Sequence, residues 1–241
     1  MNPALRNSAA HVFVEDLSAP ALADYDEHHL ARVLRLRDGE RVTASDGAGS
    51  WRECEWSGGN LVPVGEIVSV ARPVVRLGVA FVPVKGERSE WTVQKLTEIG
   101  VDDILIIGAT RRSVVRWSNE AKQVEKLRLV AREAAMQSRR AWLPTVGGPV
   151  ALHDVLARAG AAVADPDAPH VLDVAAAHSS RAGDAAVADA VSLVVVGPEG
   201  GFDADEISPT TTRVSLGDTI LRAETATLVA ATLLVARRDR R

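Results

Sequence analysis

From residue 74 onward short apolar runs alternate with amphipathic stretches, and this alternation constrains the fold more than any other feature of the chain. The pattern predicts a strand over Val74–Val82, a helix over 88–99, a strand over Ile104–Ile107 and a helix over 119–137. Further strands are expected at Val171–Val174, Leu193–Val196 and Arg213–Leu216, and a last helix from about Glu224 to Arg237. Near-continuous apolar strands separated by helices indicate an α/β domain with a largely parallel sheet. The alanine-rich 157–190 segment has too little pattern to place elements, and no internal repeat is present.

The first 70 residues have a different texture. Short strands at Val12–Val14, Arg41–Ala44, Trp51–Trp56 and Val64–Val70 lie between the turn signals Asp38-Gly39, Asp46-Gly47 and Gly58-Gly59-Asn60, which predicts a small β-barrel. One helix, His28–Leu36, places Leu30, Val33 and Leu34 at core spacing and leaves Arg32, Arg35 and Arg37 available to solvent or a ligand. Ala71-Arg72-Pro73 reads as a linker, so the expected domains are 1–72 and 73–241.

With 46% hydrophobic and 25% charged residues in 241, the chain is neither disordered nor collagen-like. A formal charge of −4 and a pI near 5.9 argue against a dedicated nucleic-acid binder. That total conceals a strong asymmetry. Residues 1–72 carry 7 basic and 11 acidic side chains, residues 85–140 carry 12 and 8, and residues 141–241 carry 8 and 13. Any surface facing a polyanion is therefore expected mainly in the middle third. The single cysteine, Cys54, excludes an internal disulfide and any multi-cysteine metal site. Neither a basic-then-apolar leader nor a membrane-length apolar run follows Met1, so a cytoplasmic protein is expected.

Four segments carry chemistry. Leu193-Val194-Val195-Val196-Gly197-Pro198-Glu199-Gly200-Gly201-Phe202 is a buried strand entering a glycine-rich turn, where a ligand can approach the backbone closely. Its spacing matches neither the dinucleotide nor the nucleoside-triphosphate fingerprint. Leu216-Gly217-Asp218-Thr219-Ile220-Leu221-Arg222-Ala223-Glu224-Thr225-Ala226 is a second strand–turn–helix junction. Beyond the carboxyl ends of neighbouring strands, two such turns can share one ligand. Taken alone, either is equally an ordinary turn, with Glu224 a first-turn carboxylate favoured by the helix dipole. The third segment is Lys85-Gly86-Glu87-Arg88-Ser89-Glu90, leading into the helix that ends at Gly100. The fourth runs from Arg111-Arg112-Ser113-Val114-Val115-Arg116-Trp117 to Gln137-Ser138-Arg139-Arg140, and reads either as a solvated basic face or as a surface for phosphate contact and base stacking.

In this order, together with His28-His29-Leu30, Val33-Leu34-Arg35 and Asp46-Gly47, the segments resemble the RsmE family of 16S ribosomal RNA uridine N3-methyltransferases, of the SPOUT class, over nearly the whole chain. The resemblance implies a PUA-like β-barrel that helps grip RNA, followed by an α/β domain with a C-terminal trefoil knot. A knot is otherwise rare enough that periodicity would never suggest one. It further implies a homodimer acting on 16S rRNA or the small ribosomal subunit, with S-adenosylmethionine held by Leu172–Val174, Gly197, Pro198, Glu199, Gly200 and Gly201, and by Leu216, Ile220, Leu221, Arg222, Thr225 and Ala226. The chain departs from the family where arginine is usual (Thr219), where threonine is usual (Ala223) and where His-Pro is usual (Asp173-Val174).

Within that resemblance the expected mechanism aligns N3 of uridine with an activated methyl group, removes the N3 proton and stabilises the charge that spreads onto the flanking carbonyl oxygens. Arg222 is the expected donor to that charge, with Glu199 and Glu224 as proton acceptors or orienting groups. RNA contacts are expected from Arg32, Arg35, Arg37, Lys85, Arg88, Arg111, Arg112, Arg116, Arg139 and Arg140. Neither a metal nor a membrane partner is expected, because the adjacent His28 and His29 point in different directions and no carboxylate spacing completes a site. The competing readings are a related SPOUT enzyme for another RNA position and a non-catalytic RNA-binding or ribosome-assembly factor.

Overall fold

The computed structural model describes residues 2–172 and 190–239. The chain divides into two compact units, one made of Met1–Val74 with Arg132–Leu143, the other of Val75–Ala131 with Pro144–Arg241.

The first unit opens with a short helix, α1 (Pro3–Asn7), and is built on a five-stranded sheet of β1 (Ala10–Phe13), β2 (Arg41–Ser45), β3 (Ser50–Ser57), β4 (Asn60–Pro63) and β5 (Val68–Ser69). β1 and β2 are parallel; β3 runs antiparallel to β2, β4 and β5. The expected single strand over Val64–Val70 is instead split: Pro63 cannot donate onward to a ladder, and the N–H groups of Val64 and Gly65 both turn back to the Glu53 carbonyl. At the β2–β3 turn Asp46 Oδ1 accepts from the N–H groups of Ala48 and Ser50 (2.7 and 2.9 Å). Gly49 stands there at φ +100° because a Cβ would collide with the ring of Trp142.

The expected helix His28–Leu36 is found as α2 (Asp24–His28) running into a π-turn, His29–Val33, closed by the Leu34 N–H on the His29 carbonyl at 2.9 Å. A π-turn has more residues per turn than an α-helix, so the spacing that assigned Leu30, Val33 and Leu34 to one buried face fails. Only Leu30 is buried, while Val33 and Leu34 are 61% and 44% exposed beside Arg32 and Arg35.

The segment Arg132–Leu143 belongs to this first unit for identifiable reasons. Arg132 forms a two-pronged ion pair with the buried Asp26 (2.6 and 3.1 Å). Arg139, at φ +58°, donates to the carbonyls of Met136 and Ser8, and Leu143 N–H donates to Gly47. His11 Nε2 donates to the Arg140 carbonyl at 3.1 Å, which leaves Nδ1 to accept from the Thr43 hydroxyl at 2.8 Å.

In the second unit all six strands are parallel. They are β6 (Gly78–Phe81), β7 (Asp103–Ile107), β8 (Thr145–Val150), β9 (Ala161–Ala164), β10 (Leu193–Val196) and β11 (Arg213–Val214), in spatial order β11-β9-β10-β6-β7-β8. Alternate residues of the central strands face two cores. Val79, Phe81, Ile104, Ile106, Val194 and Val196 pack under α3 (Arg88–Ile99) and the terminal helix α6 (Ala223–Arg238). Ala80, Val82, Leu105, Ile107, Leu193 and Val195 pack against Val155, from α5 (Leu152–Leu156), and Ile207. The long helix α4 (Glu120–Gln137) adds Leu127 and Ala131 to the first of these cores. Burial on both faces explains why these strands read as unbroken apolar runs. The expected strand over Val74–Val82 shortens to Gly78–Phe81, since Arg76 turns aside to pair with Asp103 and the Asp102 carboxylate binds the Leu77 N–H at 2.9 Å. Val171 keeps only an isolated bridge to Ser215, and Asp173 and Val174 lie outside the described residues.

Burial pushes the His11 imidazole down to about 4. An ordinary histidine in the unfolded chain takes up its proton near 6.5, so stability is complete above that pH and falls as pH drops from 6.5 to 4, by about 3 kcal/mol. Denaturant midpoints measured across that window should fall more steeply in the wild type than in a His11→Gln variant.

Candidate functional site

The carboxyl ends of β9, β10 and β11 open into a cleft of about 1040 Å³. Its floor is the turn after β10. The N–H of Gly201 donates to the Pro198 carbonyl (2.8 Å) with Gly201 at φ +71°, and the missing side chain of Gly197 lets the Phe202 ring close on the backbone. Arg112, itself in the cleft lining, fastens this turn by donating to the Gly200 carbonyl at 2.7 Å and pairing through Nε with Asp203 at 2.5 Å. The opposite wall is the loop from Leu216 to Arg222, which leads into α6 with Arg222 as its N-cap residue. Asp165, just beyond β9, forms the rim with Arg213 (2.7 Å). Burial works to raise its pKa, but hydrogen bonds from Arg213 and from the Asp167 N–H outweigh that and hold the carboxyl below its ordinary range.

One cation organises the acidic side of the cleft. Arg88, at the start of α3, places a single nitrogen, Nη1, 3.3 Å from Glu224 Oε1 and 3.5 Å from Glu199 Oε1. Glu199 is largely exposed, whereas the Glu224 side chain is only 12% exposed and its second oxygen, Oε2, is buried with no hydrogen-bond partner among the described residues. A buried carboxylate oxygen without a donor is costly unless something else supplies one.

Of the residues expected around a cofactor, Gly197, Pro198, Glu199, Gly200, Gly201, Leu216, Ile220, Leu221, Arg222 and Ala226 all line the cleft. Leu172 does not. It is buried in the core, where its N–H donates to the Ser215 carbonyl (2.9 Å), so its contact is with the strand that leads into the cleft wall. Thr225 points away and is exposed. The structure adds Arg88, Arg112, Asp165, Phe202 and Arg213, of which Arg88 and Arg112 were expected as RNA contacts and Phe202 as the end of the glycine-rich segment, while Asp165 and Arg213 carried no sequence signal.

The candidate RNA arginines separate sharply. Arg32, Arg35 and Arg37 are exposed, as are Lys85 and Arg116, and none of these forms a salt bridge among the described residues. Arg111 pairs with Asp205 at 2.5 Å. Arg139 is a structural clamp within the first unit, half-buried with burial lowering its pKa, so its guanidinium is not presented to solvent as expected. Arg140 presents its carbonyl to His11.

Among the described residues, no group of three or more His, Cys, Asp or Glu side chains is gathered so that it could hold a metal, and no helix is long and apolar enough to cross a membrane.

Fold and cleft together define an α/β domain that binds a ligand beyond the carboxyl ends of its strands. The RNA methyltransferase domain family matches residues 71–235, and the RNA methyltransferase PUA domain matches residues 26–58. The ribosomal RNA small subunit methyltransferase E of Mycobacterium bovis is 38% identical over 227 residues, covering 89% of this chain and 86% of that protein. Its counterpart in Synechocystis sp. is 32% identical, covering 84% and 68%. Among solved structures, a probable rRNA-methyltransferase from Porphyromonas gingivalis superposes with a TM-score of 0.72 at 26% identity, over 95% of this chain and 98% of that one. Ribosomal RNA small subunit methyltransferase E from Neisseria gonorrhoeae, solved bound to S-adenosyl methionine, shares the fold with a TM-score of 0.74 at 23% identity, covering 92% and 95%. The chain belongs to the RNA methyltransferase family, and its matched relatives are the small-subunit ribosomal RNA methyltransferases E.

Because Arg88 is the cation shared by two carboxylates, Arg88→Ala should lower thermal stability, and Glu224→Gln in the same chain should recover part of the loss. Melting curves for the two single variants and the double variant should give a coupling of about 1 kcal/mol.

Proposed function

We propose that this protein transfers the methyl group of S-adenosylmethionine to N3 of a specific uridine in 16S ribosomal RNA. The observation that carries the reading is the convergence of Arg222 and Glu199 on one cleft floored by glycine backbone, with Glu224 tied to that cleft through Arg88. The donor set suits the cofactor. Leu216, Ile220 and Leu221 offer apolar surface to an adenine and a thioether, the glycine turn offers main-chain N–H and C=O groups, and Glu199 and Asp165 offer carboxylates to a sulfonium and an ammonium. When bound, the cofactor supplies an already electrophilic methyl carbon.

What remains for the chain is alignment, proton removal and charge stabilisation. Glu199 is the proton acceptor in this reading, because it is the carboxylate of the pair that lines the cleft and is exposed to an entering base. Glu224, nearly buried on the same arginine, is the orienting group that holds Arg88 beside Glu199. Arg222 donates to the carbonyl oxygens that gain charge as the N3 proton leaves.

The reading extends to the rest of the molecule. Residues 1–72, joined in the first unit by Arg132–Leu143, form a PUA-like barrel that grips RNA through Arg32, Arg35 and Arg37, the remainder of 73–241 forms the methyltransferase domain with its C-terminal trefoil knot, and the protein works in the cytoplasm as a homodimer on the small subunit or its rRNA. Support for the RNA-binding role of the first unit comes from the PUA match and from three exposed, unpaired arginines beside exposed Val33 and Leu34.

Under single-turnover conditions with cofactor saturating, Arg222→Ala should slow methyl transfer by about 10²–10³-fold. A near-wild-type rate would remove Arg222 from the mechanism, and an inactive wild type that still binds RNA would favour an assembly factor. RNA affinity should fall as salt rises, and each of Arg32→Ala, Arg35→Ala and Arg37→Ala should reduce the slope of log affinity against log salt by about 0.7–0.9.

A further inference from the structure

A second, smaller cleft of about 210 Å³ lies in the second unit, beyond the carboxyl ends of β6, β7 and β8. Its walls are Pro83 after β6, Pro149 within β8, and Val115, Arg116, Trp117 and Glu120 from the segment that leads into α4. Because the sheet is wholly parallel, this cleft opens on the same edge as the large one. β10 and β6 are neighbours, so the near edges of the two openings are one strand spacing apart, about 5 Å, and their middle strands β9 and β7 about 14 Å. Adjacent nucleotides of one strand can bridge such distances.

The side chains here point to a planar, weakly polar ring attached to a phosphate chain. Trp117 packs against the apolar core and also lines the cleft, so it is held in place as one wall of a flat slot. In the run from Arg111 to Arg116, Arg111 is paired with Asp205 and Arg112 with Asp203, whereas Arg116 is exposed and has no carboxylate partner among the described residues. Glu120, in the first turn of α4, is an exposed acceptor with no salt bridge among the described residues. Aromatic stacking surface, a free guanidinium and a lone acceptor together suit a nucleobase, its phosphate and an amino group on the base edge. With about a fifth of the volume of the main cleft, the slot is too small for a second nucleoside cofactor.

We propose that this cleft is a subsite for the base flanking the target nucleotide, with Trp117 stacking on the ring, Arg116 holding its phosphate and Glu120 favouring a base that presents an amino donor. The proposal rests on the RNA methyltransfer reading above. It gives the enzyme a second point of hold on the strand, so that the target base can be splayed from its stack without losing register.

Steady-state methylation of small ribosomal subunits that lack the modification tests the subsite. Trp117→Ala should raise KM for the subunits about tenfold while leaving kcat and the dissociation constant of S-adenosylmethionine within twofold. Trp117→Phe should restore most of the loss, and Arg116→Ala should reduce the salt dependence of KM. An unchanged KM in Trp117→Ala, or Trp117→Phe no better than alanine, overturns the proposal, as does a loss shared equally by kcat and cofactor binding. If Trp117→Ala does not fold, Arg116→Glu and Glu120→Gln, both at exposed positions, carry the test, and an unchanged KM in both is the contrary result. A readout independent of turnover is the emission of 2-aminopurine in a single-stranded oligoribonucleotide. The wild type should quench it and Trp117→Ala should not. Should the methylated product prove not to be a uridine, the function reading fails while the KM shift and the quenching still report on the subsite.

Discussion

Burial of the parallel sheet on both faces is the constraint from which the rest of the second unit follows. Val79, Phe81, Val194 and Val196 face one core while Ala80, Val82, Leu193 and Val195 face the other, which leaves no polar surface along the length of these strands. Functional groups can therefore stand only where the strands end. The described residues follow that rule: Gly197–Gly201 and the Leu216–Arg222 loop lie beyond carboxyl ends, and the smaller cleft with Trp117 lies beyond the carboxyl ends of β6, β7 and β8. The helices that bury the sheet also supply the site. Arg88 begins α3 and Glu224 lies in the first turn of α6, so packing these two helices on the same face brings their first turns to one cleft.

A second constraint is electrostatic. Glu224 is nearly buried, and an isolated carboxylate there would be expensive; Arg88 relieves one oxygen and leaves the other without a donor. Arg112 and Asp203 act similarly on the glycine turn, tying the Gly200 carbonyl and so holding the turn in place. These pairs turn flexible loops into a defined surface. A preorganised donor or acceptor then meets developing charge without having to reorganise.

Much of this was legible in the sequence. Helix α3 and strand β10 have the expected limits, because each is bounded by a sharp signal such as Gly100 or Gly197 and carries an unambiguous period. Strands β8 and β9 went unseen: Gly147, Gly148 and Pro149 disguise the first, and the second lies among alanines that offer little contrast. The inward placement of Val33 and Leu34 failed because a π-turn changes the period locally, which no residue count reveals. For the cleft itself, ten of the twelve expected cofactor residues that lie within the described residues line it, since strand-to-turn junctions are local in sequence. Pairing is not local. That Arg88 would meet Glu199 and Glu224, or that Arg139 would close on Ser8 and Met136, depends on contacts across many residues and could be read only from the folded chain.

The central claim is chemical, and one product analysis tests it most directly. Small ribosomal subunits from a strain lacking the enzyme, incubated with this protein and isotopically labelled S-adenosylmethionine, should yield N3-methyluridine in their 16S rRNA by nucleoside mass spectrometry. The label should sit at a single position in the RNA. Labelled methyl on another base or another atom, or no labelled nucleoside at all from folded protein, would contradict the account.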